Sequence, residues 1–148
     1  MSHIPRGPFY IRSQFNGRVI DVEGGSVNDN ASIIVWDQKG TEAQNQLWEY
    51  RNGAFVNVNS GKVLDIKGGN IRADAHIIQY NQKPEYETES NQRWEIDHEG
   101  YIHSTADPNL VLDIKGAEDK AGASVILYER RAGGVASNQR WELVPANY

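Results

Sequence analysis

The chain has no cysteine, one methionine and five prolines, and nowhere does it run to about 18 consecutive apolar residues. Without thiols there can be no disulfide and no cysteine-ligated metal, and 148 residues suffice to bury one ordinary core without either. Small secreted folds often carry bridges, so their absence leans towards a reducing compartment. No apolar run of signal-peptide length lies in Met1 to Pro8, and the expected location is the cytoplasm, with no transmembrane segment. Positive charge is also scarce. Fifteen Lys and Arg against twenty Asp and Glu leave a net charge of -5, which argues against nucleic acid as a partner. The histidines His3, His76, His98 and His103 show no metal-ligand spacing. There is no Gly-x-Ser-x-Gly, no phosphate loop and no carboxylate pair set apart as acid and base. An enzyme reading has little to stand on, and neither a cofactor nor a metal is expected.

What the chain does have is repetition. Gly17-Arg18-Val19-Ile20-Asp21-Val22-Glu23-Gly24-Gly25 returns as Gly61-Lys62-Val63-Leu64-Asp65-Ile66-Lys67-Gly68-Gly69 and as Asn109-Leu110-Val111-Leu112-Asp113-Ile114-Lys115-Gly116-Ala117. The aspartates are 44 and 48 residues apart, the mark of an internal threefold repeat. Fifteen residues after each comes an aromatic, Trp36, Tyr80 or Tyr128, behind a β-branched or aliphatic segment suited to a strand. Phe9 to Arg12, Phe55 to Val58 and Tyr101 to His103 read as the opening strands of the units. Gly17, Gly61 and Asn109 stand where a turn needs positive φ.

Loops of differing length follow, and each ends in Asn-Gln-x-Trp: Asn45-Gln46-Leu47-Trp48, Asn91-Gln92-Arg93-Trp94 and Asn138-Gln139-Arg140-Trp141. These tryptophans, 46 and 47 residues apart, read as core, since a unit of about 45 residues cannot bury its own apolar face. Fourteen glycines, many turns and no helical periodicity predict an all-β fold. Three propeller blades would fall below the usual minimum of about four, so one closed threefold domain fits better.

With three Gln-x-Trp motifs, each paired with an upstream Asp and aromatic, the chain resembles the ricin-B-type (R-type) lectins from Phe9 to Val144. In character it looks most like the cytoplasmic fungal agglutinins. The resemblance implies a single β-trefoil domain over residues 1-148 with pseudo-threefold repeats at about 9-50, 51-96 and 97-144. It also implies three carbohydrate pockets and a galactose or N-acetylgalactosamine preference. The first pocket would contain Asp21, Gly24, Trp36 and Asn45, the second Asp65, Gly68, Tyr80 and Asn91, and the third Asp113, Gly116, Tyr128 and Asn138. Lys39, Lys83 and Arg131 are candidate rim donors, and Gln46, Gln92 and Gln139 would hold the aspartate loop or touch the pocket edge. Where many members carry Gln two residues before the aromatic, this chain has Ile34, Ile78 and Ile126.

The chemistry suits a pyranose, which offers an apolar C–H face to a flat ring and hydroxyls to a carboxylate and an amide. The glycine would let backbone approach the ligand, and the amide would donate to a sugar oxygen. Taken singly, each Asp could be a turn cap and each aromatic a packing residue; their threefold conjunction favours sugar. The implied partners are galactose-type glycans on glycoproteins or glycolipids, cross-linked through several sites, with homodimerisation left open. Two alternatives stand beside this: a trefoil interaction or inhibitor module with vestigial sugar sites, and a small ricin-like toxin. Glu85-Tyr86-Glu87-Thr88-Glu89 reads as a solvated acidic loop beside the second pocket.

Overall fold

Along Val19-Ile20-Asp21-Val22 the side chains alternate, with Ile20 and Val22 joining the core while Val19 and Asp21 point the other way. The same period of two places Leu64 and Ile66, then Leu112 and Ile114, in that core. In the computed structural model, which describes residues 4–84, 90–132 and 136–146, these segments are strands in a twelve-strand all-β arrangement. The first unit contributes β1 (Phe9–Ser13), β2 (Val19–Val22), β3 (Ile33–Trp36) and β4 (Trp48–Arg51). The second contributes β5 (Ala54–Asn57), β6 (Val63–Ile66), β7 (Ile77–Tyr80) and β8 (Trp94–Ile96). The third contributes β9 (Ile102–Ser104), β10 (Leu110–Ile114), β11 (Val125–Glu129) and β12 (Trp141–Pro145).

The first and fourth strands of each unit close a barrel. β1 pairs with β12 from Phe9 opposite Pro145 to Ser13 opposite Trp141, and β4 with β5 and β8 with β9 pair likewise antiparallel. Three matching contacts complete the ring: Phe9 faces Trp48, Trp94 N donates to Gly53 O at 2.8 Å, and Trp141 N donates to Gly100 O at 2.8 Å. Among the described residues each barrel strand thus has a neighbour on either side.

The second and third strands of each unit form hairpins that meet in a cyclic triangle across the barrel. Val35 N donates to Ala123 O at 3.0 Å, Gln79 N to Ala31 O at 3.0 Å, and Leu127 N to Ala75 O at 2.9 Å. Each unit therefore braces another. Under the triangle lie Trp48, Trp94 and Trp141, which are 0%, 0% and 1% exposed, as their motif predicts. Their indole N–H groups donate to Ile20 O, Leu64 O and Leu112 O at 3.2, 3.2 and 3.1 Å. Each tryptophan thereby fastens the residue just before its unit's aspartate.

One turn differs from its sequence reading. Gly17 and Gly61 have φ of 77° and 74°, but Asn109 is not among the positive-φ residues. Val111 pairs with His103, eight residues back, whereas Val19 pairs with Arg12 and Val63 with Val56 across seven. The extra residue changes the path of this connection, in which Asp107 Oδ1 accepts Asn109 N at 3.0 Å.

Candidate functional site

The outward face of each hairpin brings acid and aromatic together. Asp21 lies directly opposite Ile34 and Val19 opposite Trp36, so acid, isoleucine and ring share one surface. Asp65 opposite Ile78 with Val63 opposite Tyr80, and Asp113 opposite Ile126 with Val111 opposite Tyr128, repeat it. The isoleucines that stand where glutamine is common thus form an apolar floor. Beyond each acid the chain reverses at Gly24, Gly68 and Gly116, with φ of 67°, 67° and 65°. A Cβ at Gly24 would meet nothing within 4 Å, so the backbone angle is what calls for glycine there.

The aspartates are outward but not exposed, being 4%, 3% and 3% accessible, because the Asn-Gln segment folds over them. Gln46 Nε2 donates to Asp21 Oδ2, Gln92 Nε2 to Asp65 Oδ2 and Gln139 Nε2 to Asp113 Oδ2, each at 2.9 Å. The same amides donate to the carbonyls of Asp37, Asn81 and Glu129 at 3.0, 2.8 and 2.8 Å. Their oxygens accept from the backbone N–H of Lys39, Lys83 and Arg131, each at 2.9 Å. These glutamines are buried behind the acid and line none of the three hollows; they hold the loop rather than touch the pocket edge.

The asparagines depart from the sequence reading. Asn45 Nδ2 donates to Asp21 Oδ1 at 3.2 Å and to Val22 O at 3.1 Å, and Asn91 Nδ2 donates to Asp65 Oδ2 at 3.3 Å and Ile66 O at 3.4 Å. Both amide hydrogens are used inside the protein, so neither is aimed at a sugar oxygen. Asn138 donates to Ile114 O at 3.1 Å. What the asparagines hold outward is a cation: Lys83 Nζ reaches Asn91 Oδ1 at 3.4 Å, and Arg131 Nη2 reaches Asn138 Oδ1 at 3.3 Å and Asp113 at 3.7 Å.

Three hollows result. The first, about 870 Å³, is lined by Asp21, Gly24, Ile34, Trp36, Lys39 and Asn45; the second, about 710 Å³, by Asp65, Gly68, Ile78, Tyr80, Lys83 and Asn91. The third, about 740 Å³, is lined by Asp113, Gly116, Ile126, Tyr128 and Arg131. Trp36 is 39% exposed, and Tyr80 and Tyr128 are half-buried. Burial pushes all three aspartates above the ordinary carboxylate value, opposed chiefly by the donation from Gln46, Gln92 and Gln139. Each hollow therefore presents a fixed acceptor, a donor cation and an apolar wall.

Residues the sequence reading passed over also line the hollows. Gly122, Asn30 and Asp74 enter the first, second and third from another unit. They stand 44 and 48 residues apart in chain order, the spacing of the aspartates, and that shared period was the available signal. On the turn after the acid, Glu23 lines the first hollow and Lys115 the third. The acidic segment Glu85 to Glu89 lies outside the described residues.

Comparison with known proteins agrees with this architecture. Residues 7–141 match the family described as the ricin-type beta-trefoil lectin domain. Over 100 residues, 68% of this chain and 67% of the relative, the sequence is 64% identical to Mucoricin of Rhizopus delemar. The crystal structure of the earthworm R-type lectin C-half in complex with GalNAc superposes with a TM-score of 0.78 at 28% identity, covering 94% of this chain and 98% of that one. ThreeFoil, a designed 3-fold symmetric protein, gives a TM-score of 0.79 at 30% identity over 95% of this chain and 99% of its own. Twelve strands in three alike units, three hollows of one design and a match over nearly the whole length place the chain in the ricin-type β-trefoil lectin family.

Proposed function

We propose that this lectin binds terminal galactose or N-acetylgalactosamine at its three hollows and acts by cross-linking clustered glycans, without catalysis. The observation that carries the reading is the threefold convergence of a buried carboxylate, an asparagine-held cation or nearby Lys39, and an accessible ring. Galactose has adjacent 3- and 4-hydroxyls on one edge and a C–H patch on one face. The carboxylate oxygens accept from the hydroxyls, the cation donates to a hydroxyl oxygen, and the ring covers the patch. The GalNAc in the earthworm lectin complex, a neighbour at 28% identity, supports the choice of sugar.

One shallow site is expected to bind on the order of millimolar, about -4 kcal/mol. Three on one rigid body raise avidity for clustered glycans by roughly 10² where the spacing matches. Calorimetric titration with galactose and N-acetylgalactosamine is expected to show close to three sites per chain. Removing Asp21, Asp65 and Asp113 together should abolish binding and agglutination of glycan-bearing particles. Silence of the wild-type protein towards both sugars would overturn the proposal. Binding to a protein that persists in excess galactose and survives the triple substitution would favour an interaction module instead.

A further inference from the structure

The cyclic triangle of hairpins has a second effect beyond bracing. Gly122 N donates to Val35 O at 2.8 Å, Asn30 N to Gln79 O at 2.9 Å and Asp74 N to Leu127 O at 2.7 Å. In each case the acceptor is the residue just before the hollow's aromatic, so another unit's residue is pinned beside Trp36, Tyr80 or Tyr128. All three have left-handed backbone, with φ of 92°, 72° and 70°. Position and conformation repeat; the side chain does not. The second and third hollows receive an exposed amide and an exposed carboxylate, whereas the first receives no side chain. A Cβ on Gly122 would stand 3.7 Å from Cζ3 of Trp36, so any larger residue would rise against the six-membered ring of the indole.

We propose that the residue supplied by another unit sets what each hollow accepts, and that Gly122 makes the first hollow select galactosides bearing an apolar substituent. With no side chain on Gly122 to cover it, the six-membered ring of Trp36 stays open as an apolar ledge at this side of the hollow. At the other two hollows Asn30 and Asp74 place polar groups there, which an apolar substituent would have to desolvate. This deepens the proposed function and rests on galactosides entering these hollows. Burying about 40 Å² of apolar ligand surface on the ledge corresponds to roughly a five-fold gain in affinity.

Trp36 makes the site readable in the intact chain, because it is 39% exposed while Trp48, Trp94 and Trp141 are 0%, 0% and 1% exposed. Titration followed by tryptophan emission, with methyl and cyclohexyl β-galactoside, should report the first hollow, while calorimetry counts all sites. The expected result is cyclohexyl binding roughly five-fold tighter than methyl by emission. In Gly122→Asn that preference should vanish, so that the ratio of cyclohexyl to methyl affinity read by emission falls to about one. Asparagine is chosen because Asn30 already holds the equivalent left-handed conformation. Equal affinities in the wild type, with calorimetry still registering galactose, would overturn this inference and leave the lectin reading standing. A preference that survives Gly122→Asn would overturn the role given to residue 122. Calorimetric silence towards every galactoside would remove both.

Discussion

Asp21, Asp65 and Asp113 are acids kept ionisable in surroundings that disfavour charge. Burial raises their pKa above the ordinary 3.8, with the glutamine amides as the main opposing influence. Two consequences follow in opposite directions. Each folded acid holds its proton more tightly than the unfolded one, so its contribution to stability is full below the unfolded pKa and is lost as pH rises through the folded value. In the proposed binding mode the sugar needs the carboxylate, and affinity is expected to be lost as pH falls through that same raised value. Asp97 behaves otherwise: burial raises it, but N–H donation from Tyr101 and Glu99 and the Arg130 guanidinium outweigh this, and its pKa is lowered. Its contribution to stability therefore persists until pH falls through a value below 3.8. As pH is lowered, galactose affinity by calorimetry should accordingly begin to fall while the pH is still above 3.8, in a range where the melting temperature is not reduced by these four acids. Loss of binding only together with unfolding would contradict it.

At the scale of elements, the loops after the third strand of each unit are not held alike. Tyr10 Oη donates to Lys39 O at 2.9 Å, and Tyr101 Oη donates to Arg131 O at 2.6 Å. The equivalent position in the second unit is Ala54, which has no hydroxyl to offer. The first and third rim cations are thus tied to the barrel through their own backbone. Tyr10→Phe and Tyr101→Phe should each cost about 1 kcal/mol in denaturant unfolding. Tyr10→Phe should also weaken the first hollow by a few-fold when followed by Trp36 emission, since loosening Lys39 frees the donor that faces Asp21. Unchanged emission titration with an unchanged unfolding midpoint would show that the tyrosine tethers carry no weight.

At the scale of the molecule, the interior is common property. Trp48, Trp94 and Trp141 fill one core with Phe9, Phe55 and the inward residues of all three hairpins, and each also satisfies a strand carbonyl. Truncating any one to alanine should cost about 3–5 kcal/mol, from lost apolar contact and the cavity left behind. Because the core is shared, the three variants should unfold in single transitions of similar midpoint, read by urea denaturation followed by far-ultraviolet dichroism. A variant that melts one unit while leaving the others folded would refute a common interior.

Much of this was legible in the one-dimensional pattern. Alternation in Val19 to Val22 and its copies placed strands, and the recurring Asn-Gln-x-Trp placed the core indoles, because period-two burial and threefold repetition are local facts of sequence. The constant interval from acid to aromatic also holds in space, since those residues lie on one face of a single hairpin whose register is local. What needed tertiary structure lies in contacts between segments far apart in the chain. The direction in which Asn45 spends its amide hydrogens depends on the Asp21 carboxylate and the Val22 carbonyl, more than twenty residues away. The assignment of Gly122 to Trp36, Asn30 to Tyr80 and Asp74 to Tyr128 depends on which way the triangle of hairpins closes. Sequence by itself determined three alike hollows that differ in ring and rim cation; only the packing of one unit against another decided which further residue enters each, because Gly122, Asn30 and Asp74 are donated from elsewhere in the chain.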